Sequence, residues 1–173
     1  GKHRSDGESV GGTPIPALGA TDQHSQVQLF MEGPPNKVVA FIAVKTHGTD
    51  LTIPHAFGDV KELAYLGGHS LGELINIEQR ATAGALAKRG RANMTIQIDR
   101  VDPWHVGGLI MLFEIATAYA GQLYQVDAFN QPGVELGKQF AYALLGRPGA
   151  DAAKAEWDSL PKPDPRWNTF VTT

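Results

Sequence analysis

Two patterns of apolar residues alternate along the chain, and they predict alternating strands and helices. Residues 37–44 (Lys-Val-Val-Ala-Phe-Ile-Ala-Val) form a continuous β-branched run of the kind found in a parallel strand covered on both faces. Residues 94–98 (Met-Thr-Ile-Gln-Ile) alternate and predict a second strand. Residues 13–18 hold Pro14 and Pro16, which forbid a fully hydrogen-bonded central strand but allow a short strand or an extended entry. Between these runs the spacing becomes helical. Val27, Phe30 and Met31 mark a first helix, capped by Thr21 or Asp22 and stopped by Gly33-Pro34-Pro35. Residues 59–65 are charged and read as a short helix, and Ser70 and Glu73 form a Ser-x-x-Glu capping box ahead of Leu71, Leu74, Ile75 and Ile77. That helix runs to about Arg89 and stops at Gly90. Asp102 caps and Pro103 starts a long helix that is apolar nearly all round from Val106 to Val126, so burial is expected, with Glu114 in an ion pair or at a subunit contact. Pro132 then starts a helix whose Leu136, Phe140 and Leu144 make one stripe expected to be buried.

Strands alternating with helices imply an α/β fold, a three-layer αβα sandwich on a parallel sheet. Three short strands make a thin sheet with at least one raw edge, so the domain is expected to be incomplete at its N-terminal side and part of a larger protein. Residues 1–12 are polar and glycine-rich and read as a flexible lead, residues 13–146 as the domain, and residues 147–173 as a peripheral tail with a short helix near 150–160.

Composition narrows the function classes. The 173 residues carry a formal net charge of −3, which offers no basic field to nucleic acid. The sequence shows no signal peptide and no uninterrupted apolar span, so no membrane partner is expected, and the lack of cysteine removes disulfides and thiol chemistry and makes the cytoplasm the default compartment. His47, Asp50 and His55 share one loop, but their spacing fits no standard ligand motif, and no metal site is read there.

Three residues stand out as candidate chemistry. Lys138 lies off the Leu136 stripe, in register with Val134, Ala141 and Leu145, while Gly133 and Gly137 leave one side of its helix bare. Its ammonium is either snorkelling past a neighbour or aimed at an anion in a cleft. His24 falls in the first turn of its helix, on the side of Val27 and Met31. It is either a core histidine satisfied by backbone or a proton-exchanging imidazole, the neutral form being favoured near a helix N-terminus. Gln131 stands immediately before the Pro132 helix. Separately, Gly68-His69-Ser70-Leu71-Gly72-Glu73 resembles the nucleophile elbow of α/β-hydrolases and the serine motif of malonyl acyltransferases. An elbow needs a buried strand before it, and the charged segment 59–65 is not one, so the capping role is preferred.

The run from Phe129 to Lys138 (Phe-Asn-Gln-Pro-Gly-Val-Glu-Leu-Gly-Lys), preceded by Gly121, Leu123 and Tyr124, resembles the C-terminal signature of the glucose-6-phosphate isomerase family. Residues 19–26 (Gly-Ala-Thr-Asp-Gln-His-Ser-Gln) resemble that family's histidine segment. The resemblance spans about residues 13–146 and implies most of the second sugar-isomerase domain. It also implies metal-free and cofactor-free interconversion of glucose 6-phosphate and fructose 6-phosphate. His24 would be the ring-opening acid and base, Lys138 would contact the ring oxygens, and Gln131 would bind substrate beside the phosphate. A homodimer is implied, with His24 reaching the partner subunit's site. Gly1-Lys2 look like the end of the family's Glu-Ser-x-Gly-Lys motif, whose glutamate moves the proton between carbons; that carboxylate is therefore outside these residues, and the chain alone is expected to be inactive. The rival functions are a noncatalytic sugar-phosphate-binding domain of the same fold and a serine acyltransferase or hydrolase using Ser70.

Overall fold

The structure, a computed structural model, describes residues 1–162. The expected linker beyond Lys162 and Trp167 lie outside the described residues. Two compact units are present, residues 1–126 and the unit that begins at Asp127.

The first unit is built on two parallel strands, β3 (Val39–Val44) and β4 (Asn93–Ile98), paired in register from Val39 opposite Asn93 to Val44 opposite Ile98. The chain between them passes through α2 (Lys61–Ala64) and α3 (Leu71–Lys88). Helix α3 lies along both strands, where Gln79 Nε2 donates to Thr95 Oγ1 (3.2 Å) and Asn93 Nδ2 to the Ala83 carbonyl (3.3 Å). Leu86, near its end, is completely buried. The fold is therefore α/β, with a small parallel sheet flanked by helices.

Residues 13–18 form no strand, so this sheet has two strands rather than three. Pro14 and Pro16 lack the N–H groups that a ladder requires. The continuous apolar run in β3 also predicted two covered faces, but Ala40, Ile42 and Met94 are exposed. Their register partners place them on one side of the pleat, away from Phe41 and Asn93. The lead is not wholly irregular either. Its β1 (Lys2–His3) and β2 (Ser9–Val10) pair antiparallel, and Arg4 reaches across the turn to Asp6 and Glu8.

The start of α3 is fixed by a loop twenty residues upstream. Ser70 Oγ accepts the Glu73 N–H (3.1 Å) as the expected cap and donates to Asp50 Oδ2 (2.6 Å), while Asp50 Oδ1 accepts the Gly72 N–H (2.8 Å). The reciprocal half of the capping box is absent, because the Glu73 carboxylate is held by His69 Nδ1 (2.8 Å). These bonds, led by the Ser70 hydroxyl, keep the Asp50 carboxyl below its ordinary range. The clamp leaves no room at Gly72, where a Cβ would stand 2.6 Å from His47 Cδ2 and 2.7 Å from Asp50 Oδ2. Gly72→Ala should therefore destabilise the full-length protein by about 1–3 kcal/mol in urea unfolding. An unchanged midpoint would show that the loop gives way freely.

Helix α4 (Pro103–Tyr124) starts as expected, with Pro103 in its first turn and Asp102 Oδ1 accepting the His105 N–H (2.9 Å). It is not buried, however. Gly121 is its one buried residue, Trp104 and Leu123 are 80% and 82% exposed, and Glu114 is exposed as well. The reason is direct: among the described residues no other element packs along its length. By length and composition alone it could cross a membrane, although Glu114 interrupts its apolar run.

The second unit contains a 3-10 turn (Pro132–Val134), α5 (Glu135–Leu144) and α6 (Asp151–Ser159). The expected Leu136–Phe140–Leu144 stripe is not buried as a whole, since Leu136 and Leu144 are exposed. The middle of the stripe makes the contact to α6, where Phe140 meets Trp157 edge to face at 5.4 Å, and the buried residue of α5 is Ala143, off the stripe and 6% exposed. A short helix such as α6 covers one narrow strip of its neighbour, so the ends of the stripe stay in solvent.

Candidate functional site

His24 is carried by α1 (Thr21–Glu32) in the first unit. Neither Thr21 nor Asp22 caps this helix: Ala20 holds the cap position without a side-chain bond. Asp22, already inside the first turn, instead accepts the Leu18 N–H at Oδ2 (2.6 Å) and pins the incoming chain. Two further bonds fasten α1 to its surroundings, Gln23 Nε2 to Thr82 Oγ1 (2.9 Å) and Arg91 Nε to the Met31 carbonyl (2.9 Å). His24 is thus set on a fixed helix. Val27 and Met31 are half-buried, but His24 itself is exposed, and its ring has no hydrogen-bond partner among the described residues. A core histidine satisfied by backbone does not describe it.

Gln131 and Lys138 belong to the second unit, and one turn organises both. Asp127 accepts the Phe129 N–H (2.8 Å) and an amide hydrogen of Asn130 (2.5 Å), an Asx turn that delivers the chain to Gln131. Gln131 precedes the 3-10 turn, its carbonyl accepting the Val134 N–H (3.2 Å) while its side chain makes no capping bond. The first turn, Pro132–Val134, is 3-10, so α5 starts at Glu135, three residues later than the spacing predicts.

Lys138 Nζ donates to Glu135 Oε1 at 2.7 Å, one helical turn away. The hydrogen bond and then the charge of Glu135 raise the lysine above its ordinary pKa. No buried apolar wall runs beside it, for Val134 and Leu145 are themselves exposed, so the snorkelling alternative lacks a surface to snorkel past. Gly133 and Gly137 face open space, as a bare helix side requires. A fixed, protonated ammonium beside an open helix flank can donate to an anionic or polarised oxygen.

Ser70 has no comparable chemistry. Its hydroxyl is committed to Asp50 and to the helix cap, and among the described residues no histidine nitrogen bonds to it. His47 and Asp50, suggestive of a metal loop by composition, instead crowd the Gly72 backbone. Sequence reasoning missed two residues here. Glu135 could have been found from its i, i+3 spacing to Lys138, whereas nothing local in the sequence signals the reach of Asp50 to Ser70.

A profile of the phosphoglucose isomerase family matches residues 17–162, which include His24, Gln131 and Lys138. The chain belongs to that family. It is 48% identical over 142 residues to the glucose-6-phosphate isomerase of Rubrobacter xylanophilus, covering 82% of this chain and 33% of that protein. The glucose-6-phosphate isomerase of Carboxydothermus hydrogenoformans is 47% identical over 147 residues, covering 85% of this chain and 32% of its own length. In three dimensions the chain is similar to the crystal structure of a hypothetical protein from Thermus thermophilus. That similarity has a TM-score of 0.78 and 41% identity, over 84% of this chain and 35% of the other. The chain thus spans about a third of the length of the curated relatives it matches.

Proposed function

We propose that the protein interconverts glucose 6-phosphate and fructose 6-phosphate, and that these residues form the C-terminal part of the enzyme, with most of its second sugar-isomerase domain. The observation that carries this reading is the family match, which runs through both units and contains all three candidate residues. In this reading the sugar ring opens first. His24, an exposed imidazole on an anchored helix, exchanges the proton between the ring oxygen and the anomeric hydroxyl. Lys138 donates to the same oxygens, and Gln131 holds the substrate beside its phosphate. The open-chain sugar then loses its C2 proton to a carboxylate, passes through an enediol, and regains the proton at C1. That carboxylate belongs to the glutamate motif whose last two residues Gly1-Lys2 resemble, so residues 1–173 supply ring opening and binding but not the carbon base. We infer that they do not isomerise sugar phosphates on their own. No metal or redox cofactor is needed for these steps, since each is a proton transfer.

The reading extends to a cytoplasmic homodimer in which His24 serves the partner subunit's site and the apolar surface of α4 is covered by protein. Glu114, in the middle of α4, supports that cover over a lipid one, because a carboxylate at bilayer depth is costly. The experiment that tests the function is a coupled assay of the full-length protein on fructose 6-phosphate without added metal.

A further inference from the structure

We propose that Glu135 is the positioning residue of Lys138, fixing where its ammonium points and so where it meets the ring oxygen of the sugar phosphate. The proposal rests on the function proposed above and assigns a part to a residue which that function leaves idle.

Glu135 opens α5, and Lys138 follows one turn later, with Nζ 2.7 Å from Oε1. The pair takes no part in holding the unit together. In the packing of α5 on α6 Phe140 meets Trp157, and the cation on α6, Lys154, is engaged with Asp158. Apart from Glu135, the group that bears on the ammonium is Tyr142, one turn further along α5, whose ring is itself covered by the Arg147 guanidinium at 4.5 Å. Gln131 stands four residues before Glu135, at the entrance to the 3-10 turn, so the carboxylate is spaced between the two candidate substrate contacts.

A lysine side chain has four rotatable carbon bonds and three equivalent donors, and an exposed one samples many directions. Binding one donor to Glu135 removes most of that freedom and leaves two N–H groups for sugar oxygens. The same carboxylate holds the proton on Nζ, and a protonated ammonium is the form that donates to a ring oxygen as the C1–O bond breaks. An exposed ion pair adds little to stability. Its expected signature is therefore kinetic.

The test uses the full-length protein and four variants: Glu135→Gln, Glu135→Asp, Lys138→Ala and the Glu135→Gln/Lys138→Ala double. Glu135→Gln should lower kcat by roughly tenfold with a smaller change in KM, and should move the alkaline limb of the rate profile to lower pH. Glu135→Asp, which keeps the charge, should recover part of the loss. In the Lys138→Ala background Glu135→Gln should cost nothing more, because a positioning residue acts only through the group it positions. A Glu135→Gln enzyme with normal kcat and an unmoved alkaline limb would overturn the proposal. So would full additivity in the double variant, or a lowered melting temperature as the whole effect. If Lys138→Ala is itself fully active, the function assigned to Lys138 fails first, and the proposal with it.

Discussion

Replacing Lys138 or His24 by alanine in the full-length protein should lower turnover by about 10²-fold or more while leaving the fold intact. The size of the effect follows from the proposed roles, since each group transfers or stabilises a proton during ring opening. The intact fold follows from the structure. His24 is exposed and unbonded among the described residues, and Lys138 is exposed and touches a carboxylate on its own helix. Neither is part of the contacts that hold its unit, namely Gln23–Thr82 and Arg91–Met31 around α1, and Phe140–Trp157 beside α5. Substitutions at such exposed positions leave stability nearly unchanged. Melting curves and steady-state rates measured side by side decide the matter. Variants that unfold readily while their folded fraction keeps full activity would return both residues to a structural role.

The second large effect concerns residues 1–173 expressed alone. They should show no measurable isomerase activity, because donors that position a sugar cannot remove a carbon-bound proton, and the carboxylate proposed to do so is not among them. They should also self-associate. Trp104, Ile110, Met111, Ile115, Tyr119 and Leu123 are all exposed on α4, whose 22 residues have no element packed along their length among the described residues. A continuous apolar surface of that kind marks an interaction site. Sedimentation at several concentrations should give a mass above the 18.6 kDa of one chain. A stable monomer would refute the association, and robust turnover would show that the carbon base lies within these residues.

The elements that sequence reading placed correctly were those whose cause is local. The β-branched run of β3, the alternation of β4, the Ser70 cap and the Asp102-Pro103 start each depend on residues within a few positions of one another. Errors arose where the cause is distant. The apolar circumference of α4 implied burial, but burial needs a covering surface, which the described residues do not provide. The stripe of Leu136, Phe140 and Leu144 was read as buried throughout, whereas only Phe140 packs on Trp157 of α6 and its two ends stay exposed. Prolines at 14 and 16 were allowed a strand that they do not form. The Asp50 clamp joins residues twenty apart and has no periodic signature.

The candidate residues were chosen as positions, because the spacing from Phe129 to Lys138 and the segment around His24 resemble a family pattern. Their local geometry was less legible in the sequence. The exposure of His24 depends on how α1 sits against α3, and the late start of α5 depends on a 3-10 turn that helical spacing does not reveal.

Sugar-phosphate isomerisation by proton transfer is tested by conversion of fructose 6-phosphate by the purified full-length protein in deuterated buffer, with a chelator present and no metal added. Glucose 6-phosphate is the expected product, detected by a coupled dehydrogenase, with solvent deuterium entering at C2. Fructose 6-phosphate that remains unchanged, or that is converted only when metal is restored, would contradict isomerisation by proton transfer alone.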